Sequence, residues 1–157
     1  NTIDIICDKY EKIQNKLSEG KLTLCHGDFK SPNIFYDTST QTPYLIDWQY
    51  IVEGKGVQDI IFLLLESFEL TESTELYKLV IQYYYKKIQE YGCTTYTKEE
   101  YIKDITYSIC YFPTLVALWF GTVDPEELLD KNFPFFFIKK YLYFIETYID
   151  ISLLNEL

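Results

Sequence analysis

His26–Asn33 reads H-G-D-F-K-S-P-N, and Asp47 follows in the apolar stretch Tyr44–Trp48, fourteen residues past Asn33. An Asp and an Asn five positions apart on one loop can put a carboxylate base beside a substrate hydroxyl while the Asn side-chain oxygen reaches a magnesium ion. A second Asp at a strand end adds a hard anionic oxygen to the same metal. The chemistry this layout serves is phosphoryl transfer, with Asp28 as the candidate base and Asn33 and Asp47 as the candidate metal and nucleotide ligands. Asp47 stands between Ile46 and Trp48 at the end of an apolar strand, where a carboxylate needs a compensating cation or donors. Each residue also has a plainer reading: Asp28 as a loop Asp, Asn33 as a turn residue before a strand, Asp47 as a strand-end cap.

The skeleton His-x-Asp-x-x-x-x-Asn followed by a metal-binding Asp is that of the protein-kinase signature, with Gly27 in place of its Arg and Trp48-Gln49 in place of Phe-Gly. With those departures the chain resembles the aminoglycoside phosphotransferase and choline kinase-like family, especially its ecdysteroid kinase-like branches. Leu24–Asp28, Asn33-Ile34, Ile46–Gln49 and Gly54-x-Gly56-x-x-Asp59 carry the resemblance, which covers Leu22–Phe68 by motif and the remainder only by pattern. The resemblance implies a small-molecule kinase using ATP and magnesium. It makes Lys30 either a contact to the transferred phosphate, catalytic and nucleotide-binding, or a solvated loop lysine. It makes His26 a packing residue that fixes the loop, and Asp59 a structural support that holds the loop through backbone amides. Asp59 also has a local reason to stand near a helix N-terminus, where a carboxylate is favoured.

A chain of 157 residues has the size of one domain, and 48% hydrophobic and 18% aromatic content exclude a disordered one. All fourteen basic residues are Lys and the formal net charge is -10, which argues against a phosphate-backbone binder. Nucleic acid is not an expected partner. The acidity fits either a cationic hydroxyl substrate or plain solubility. Cys7, Cys25, Cys93 and Cys110 are scattered and there is one His, so reduced thiols in a cytoplasmic setting are expected rather than a zinc site. The longest apolar runs, Ile60–Leu65 and Leu115–Phe120, are far shorter than the ~20 residues of a membrane span. The chain starts at Asn1 and holds no Met, so it is expected to be a piece of something longer.

The elements that must position these residues are legible in outline. Ile3, Ile6, Tyr10, Ile13 and Leu17 recur at helical spacing and Gly20 stops that helix. Leu22–Cys25 is a strand into the candidate loop. Ile34–Tyr36 and Pro43–Ile46 form a hairpin around the turn Asp37–Gln41, carrying Asn33 at one end and Asp47 at the other. Val57–Phe68 is a buried helix, and Thr74–Tyr91 is an amphipathic one with Leu76, Leu79, Val80, Tyr83 and Ile88 inward. Thr97–Glu100 is a capping box for a helix that Pro113 kinks or divides. Asp124–Glu127 starts another, with Pro125 at its first position, and a helix over Pro134–Leu154 closes the domain. Tyr83–Tyr85 and Phe135–Phe137 read as packing residues. Gly27, Gly54 and Gly56 read as tight backbone turns.

The expected fold is α+β, predominantly α-helical, with a small β hairpin at its active face. The resemblance implies the C-terminal catalytic lobe of a protein kinase-like fold over residues 1–157. Only 25 residues precede His26, without glycine-rich loop, strand Lys or partner Glu helix, so the nucleotide-clamping N-terminal lobe is expected to be a missing partner. The expected reaction is transfer of the ATP γ-phosphoryl group to a small-molecule hydroxyl; a non-catalytic pseudokinase or binding module and a protein kinase remain the rivals.

Overall fold

The computed structural model describes residues 1–124, 126 and 131–157. It is mostly helical with two small sheets, an α+β arrangement. Helices α1 (Thr2–Asp8) and α2 (Tyr10–Leu17) lead to strand β1 (Thr23–Cys25), and hairpin strands β2 (Ile34–Asp37) and β3 (Thr42–Leu45) precede β4 (Val52–Gly54). The rest is helical: α3 (Gly56–Glu66), α4 (Leu70–Glu90), α5 (Lys98–Thr122), α6 (Phe133–Tyr148) and α7 (Ile151–Asn155). The core is aliphatic at its centre, where Ile6, Ile13, Ile61, Leu64, Leu65, Ile109 and Leu154 are fully buried with Phe144. Burying such side chains stabilises the fold by about 1.5–3 kcal/mol each.

The hairpin forms in the register Ile34↔Leu45 through Asp37↔Thr42. Its turn is held by the Asp37 carboxylate, which accepts from the Ser39 and Thr40 amides and the Ser39 hydroxyl; these donors hold its pKa down at about 2. β1, the strand expected over Leu22–Cys25, pairs antiparallel with β4, Leu24 opposite Glu53, a partner strand that sequence pattern left unassigned.

Several expected boundaries shift for physical reasons. The first helix is two, α1 and α2, divided at Lys9 with φ -103° and ψ 5°. The last is likewise α6 and α7, because Asp150 turns out of helix and caps α7 by accepting from the Ser152 amide. α5 runs unbroken through Pro113. The missing proline donor is outweighed by burial of Phe112 and Val116 on the same helix, which packs against α2, α3 and α6. At 25 residues, α5 is also long and apolar enough to cross a bilayer by length and composition, a property hidden from a count of consecutive apolar residues; here it is a core helix. In α4 the inner face is set by Ser73, Tyr77 and Ile81, while Leu79 and Tyr83 are exposed. Ser73 donates to the Leu64 carbonyl at 2.6 Å and Tyr77 stacks on Tyr148 at 3.7 Å, which fixes that rotation of the helix. Phe137 is buried, but Phe135 and Phe136 point outward. The expected helix start at Pro125 lies outside the described residues.

Candidate active site

The loop between β1 and β2 is folded by its own backbone. Gly27 has φ +80°, and a Cβ there would run into the Tyr50 carbonyl oxygen, so both conformation and close approach require glycine. Gly54 and Gly56 serve differently: neither has positive φ, and a Cβ on Gly56 would meet the Tyr84 hydroxyl. The two carboxylate oxygens of Asp59, in the first turn of α3, accept the amides of His26 (2.7 Å) and Gly27 (3.0 Å). His26 is buried. Its Nδ1 accepts from the Asp28 amide at 3.3 Å, which leaves the ring proton on Nε2 to donate to the Ile46 carbonyl at 2.8 Å. Trp48 covers the ring at 4.6 Å between centroids. One imidazole thus ties the loop to the far strand of the hairpin.

Asp28 and Asn33 are both buried. The Asn33 amide nitrogen donates to the Asp28 carbonyl (2.8 Å) and to the Asp28 carboxylate (3.0 Å), leaving Oδ1 as the side-chain atom able to face a cation. Lys30 lies 3.1 Å from the same Asp28 oxygen. The hairpin continues past its ladder, with the Ile46 amide donating to the Asn33 carbonyl at 3.1 Å, so Asp47 follows directly on the residue paired with Asn33.

Asp47 departs from expectation in its surroundings. It is exposed, not desolvated, since Ile46 and Trp48 on either side are themselves about two-fifths exposed. Its backbone is left-handed, φ 63° and ψ 57°, and Gln49 approaches its carboxylate at 3.5 Å. The burial argument for a compensating cation therefore does not apply. Among the described residues no three His, Cys, Asp or Glu side chains gather as a metal-binding group. Asp47 and Asn33 offer hard oxygen donors of the kind magnesium takes when phosphates complete its coordination.

Asp28, Lys30, Asp47 and Gln49 help line a cleft of about 470 Å³. The rest of its wall is largely apolar, with Phe62 from α3, Phe112, Leu115, Val116 and Leu118 from α5, and Phe137 from α6. These wall residues carry no local motif and are assembled by tertiary packing alone. Sequence reading also missed two charged clusters. Lys55 and Asp104 form a buried pair at 3.1 Å, with the Tyr96 hydroxyl donating to Asp104 at 2.6 Å. Glu66 ends α3 with a buried Oε2 that has no hydrogen-bond partner, and burial raises its pKa against the opposing pull of Lys30 and Lys140.

The family model described as the ecdysteroid kinase-like family matches residues 1–95, and the chain belongs to that family. No curated protein and no solved structure matches it.

Proposed function

We propose that this member of the ecdysteroid kinase-like family is the catalytic lobe of a small-molecule kinase, passing the ATP γ-phosphoryl group to a substrate hydroxyl. The observation that carries the reading is the shared cleft, where the candidate base Asp28, Lys30 and Asp47 face an apolar wall. Asp28 orients the acceptor hydroxyl and takes its proton as the oxygen–phosphorus bond forms. Its amide and carboxylate are both tethered, which limits reorganisation during that step. Asn33 and Asp47 would hold magnesium, whose contribution when bound is neutralisation of phosphate charge. Lys30, 21% exposed at its side chain, is near enough to the cleft to meet a phosphate oxygen.

The apolar wall supports an alcohol with an apolar body as acceptor, and favours it over the cationic substrate that net charge alone would suggest. Exposed Leu24, Phe35, Tyr44 and Val52 on the strands, with Tyr50 and Ile51 just before β4, make a surface suited to a nucleotide-clamping lobe, and a cytoplasmic setting fits the free thiols. The exposure of Asp47 favours one rival, a binding module that holds an acceptor without transferring phosphate. The test is ADP release across amine, sugar and polycyclic alcohol acceptors, using a form of the protein that binds MgATP by calorimetry. Turnover is expected with apolar alcohols, and Asp28→Asn should lower it by roughly 10²–10⁴ with nucleotide affinity nearly intact. Unchanged turnover in that variant rejects the base, and no turnover with any acceptor favours the binding module.

A further inference from the structure

Helix α6 is apolar on two sides. Phe137, Tyr141 and Phe144 face the core and are buried, while Phe135, Ile138 and Leu142 are exposed, Phe135 by 75%. At 3.6 residues per turn the exposed three fall on one stripe, opposite the buried three, and Lys139 and Glu146 fall on the same stripe. With Leu70 and Tyr143 at its sides, this stripe lines a surface groove of about 410 Å³. Lys139 and Glu146 are exposed, and neither forms an ion pair among the described residues. They stand farther apart than the three or four positions at which side chains of one helix pair, so each is left to meet a charge from elsewhere.

We propose that this stripe is a two-fold interface, on which a second copy of the chain lays its own α6 antiparallel to the first. A two-fold contact must be self-complementary: where residue i meets j, j meets i. With the axis between Leu142 and Tyr143, Lys139 of each copy meets Glu146 of the other, and Leu142 lies at the centre. A parallel pairing would set Lys139 against Lys139 and Glu146 against Glu146, so the charges select the antiparallel one. The alternation of three and four positions between Phe135, Ile138 and Leu142 is that of a helix–helix seam. The net charge of -10 opposes self-association over the surface as a whole. On this stripe one Lys and one Glu balance, so apolar contact is not opposed by local charge. A single helix against its own copy makes a small interface, and the dimer is therefore weak and concentration-dependent. Phe137, on the other side of α6, keeps its place in the cleft wall, so the pairing leaves that cleft open.

The experiment is sedimentation equilibrium of this chain, which should show monomer and dimer exchanging between about 10 µM and about 1 mM. Lys139→Glu alone sets two Glu–Glu contacts across the interface, and Glu146→Lys alone sets two Lys–Lys contacts. Each single variant should therefore dimerise at least about tenfold more weakly than the wild type. Mixed in equal amounts, the two should associate with each other, because every cross-contact is then Glu against Lys. The double variant should pair with itself as the wild type does. Both positions are exposed, so the variants should keep the wild-type circular dichroism and Tm. A wild-type chain that stays monomeric throughout the range would overturn the proposal. So would single variants that fail to associate when mixed. A dimer indifferent to the charge reversals would also overturn it, and would assign self-association to the exposed strand surface instead.

Discussion

Among the described residues, two lysine–aspartate pairs span 3.1 Å, and they differ in what lies around them. Lys55–Asp104 is nearly sealed: both side chains are less than a tenth exposed, although they border a groove shared with Lys103 and Tyr107, and the Tyr96 hydroxyl occupies the same Asp104 oxygen. Lys30–Asp28 opens on the cleft, with its lysine 21% exposed. The sealed pair fastens the β4–α3 junction to α5. The open pair keeps its partners within reach of a third molecule, and the bonds from His26, Asn33 and Asp59 hold the loop in the meantime. The two pairs thus differ in how far the lysine is withdrawn from solvent, 6% exposed in one and 21% in the other.

That contrast is broken most sharply by removing one partner from each pair. Asp104→Ala leaves a buried ammonium unpaired and should cost about 3–5 kcal/mol, whereas Lys30→Met should cost less, because the Asp28 carboxylate keeps the hydrogen bond donated by Asn33. Equal shifts in urea midpoint would erase the distinction. Replacing both members of the sealed pair, as Lys55→Met with Asp104→Leu, should recover most of the loss, since a buried ion pair seldom outperforms apolar packing. A double variant as unstable as Asp104→Ala would show that the pair itself is favourable.

The next largest effect is on the loop that carries the open pair. Gly27→Ala must adopt a left-handed backbone against the Tyr50 carbonyl, so a loss of about 1–3 kcal/mol is expected, read as a lowered Tm. An unchanged Tm would mean that the loop has another conformation available.

A smaller difference separates the pairs by pH. Burial raises the Asp104 pKa despite Lys55 and Tyr96, so the folded chain holds this proton more tightly than the unfolded one. The resulting stability is complete below the ordinary aspartate value of about 3.9 and is lost as pH rises through the raised folded value. Asp104→Asn should remove that downward slope from denaturation midpoints measured between about pH 4 and 7. A slope that persists in the variant assigns it to other groups. Least in magnitude is thiol reactivity. Cys25 and Cys110 are buried with pKa values pushed up to about 12, so a thiol reagent should label exposed Cys7 and Cys93 first and the buried two only on unfolding.

What the sequence made legible was local. The hairpin, its turn and the bond of Asn33 to Ile46, one residue before Asp47, follow from alternation and turn residues within a span of fourteen positions. The Thr97 capping box is likewise written in four consecutive residues, and its bonds form. What stayed hidden depends on distance along the chain. Lys55 and Asp104 are 49 positions apart, and Phe62, Phe112 and Phe137 meet at the cleft only because α3, α5 and α6 pack together. Burial was the weakest inference. Asp47 follows an apolar strand yet lies open to water, on a two-stranded sheet where even Phe35 and Tyr44 are exposed.

The left-handed backbone at Asp47 has a consequence for anyone evolving this protein in the laboratory. A side-chain-bearing residue gives up roughly 1–2 kcal/mol in that conformation, somewhat less for Asp, and glycine gives up little. Selection for heat resistance alone would therefore reward Asp47→Gly, and the winning clones would have discarded an anionic oxygen that lines the cleft. If Asp47 holds magnesium as proposed, robustness and reactivity select in opposite directions at this codon.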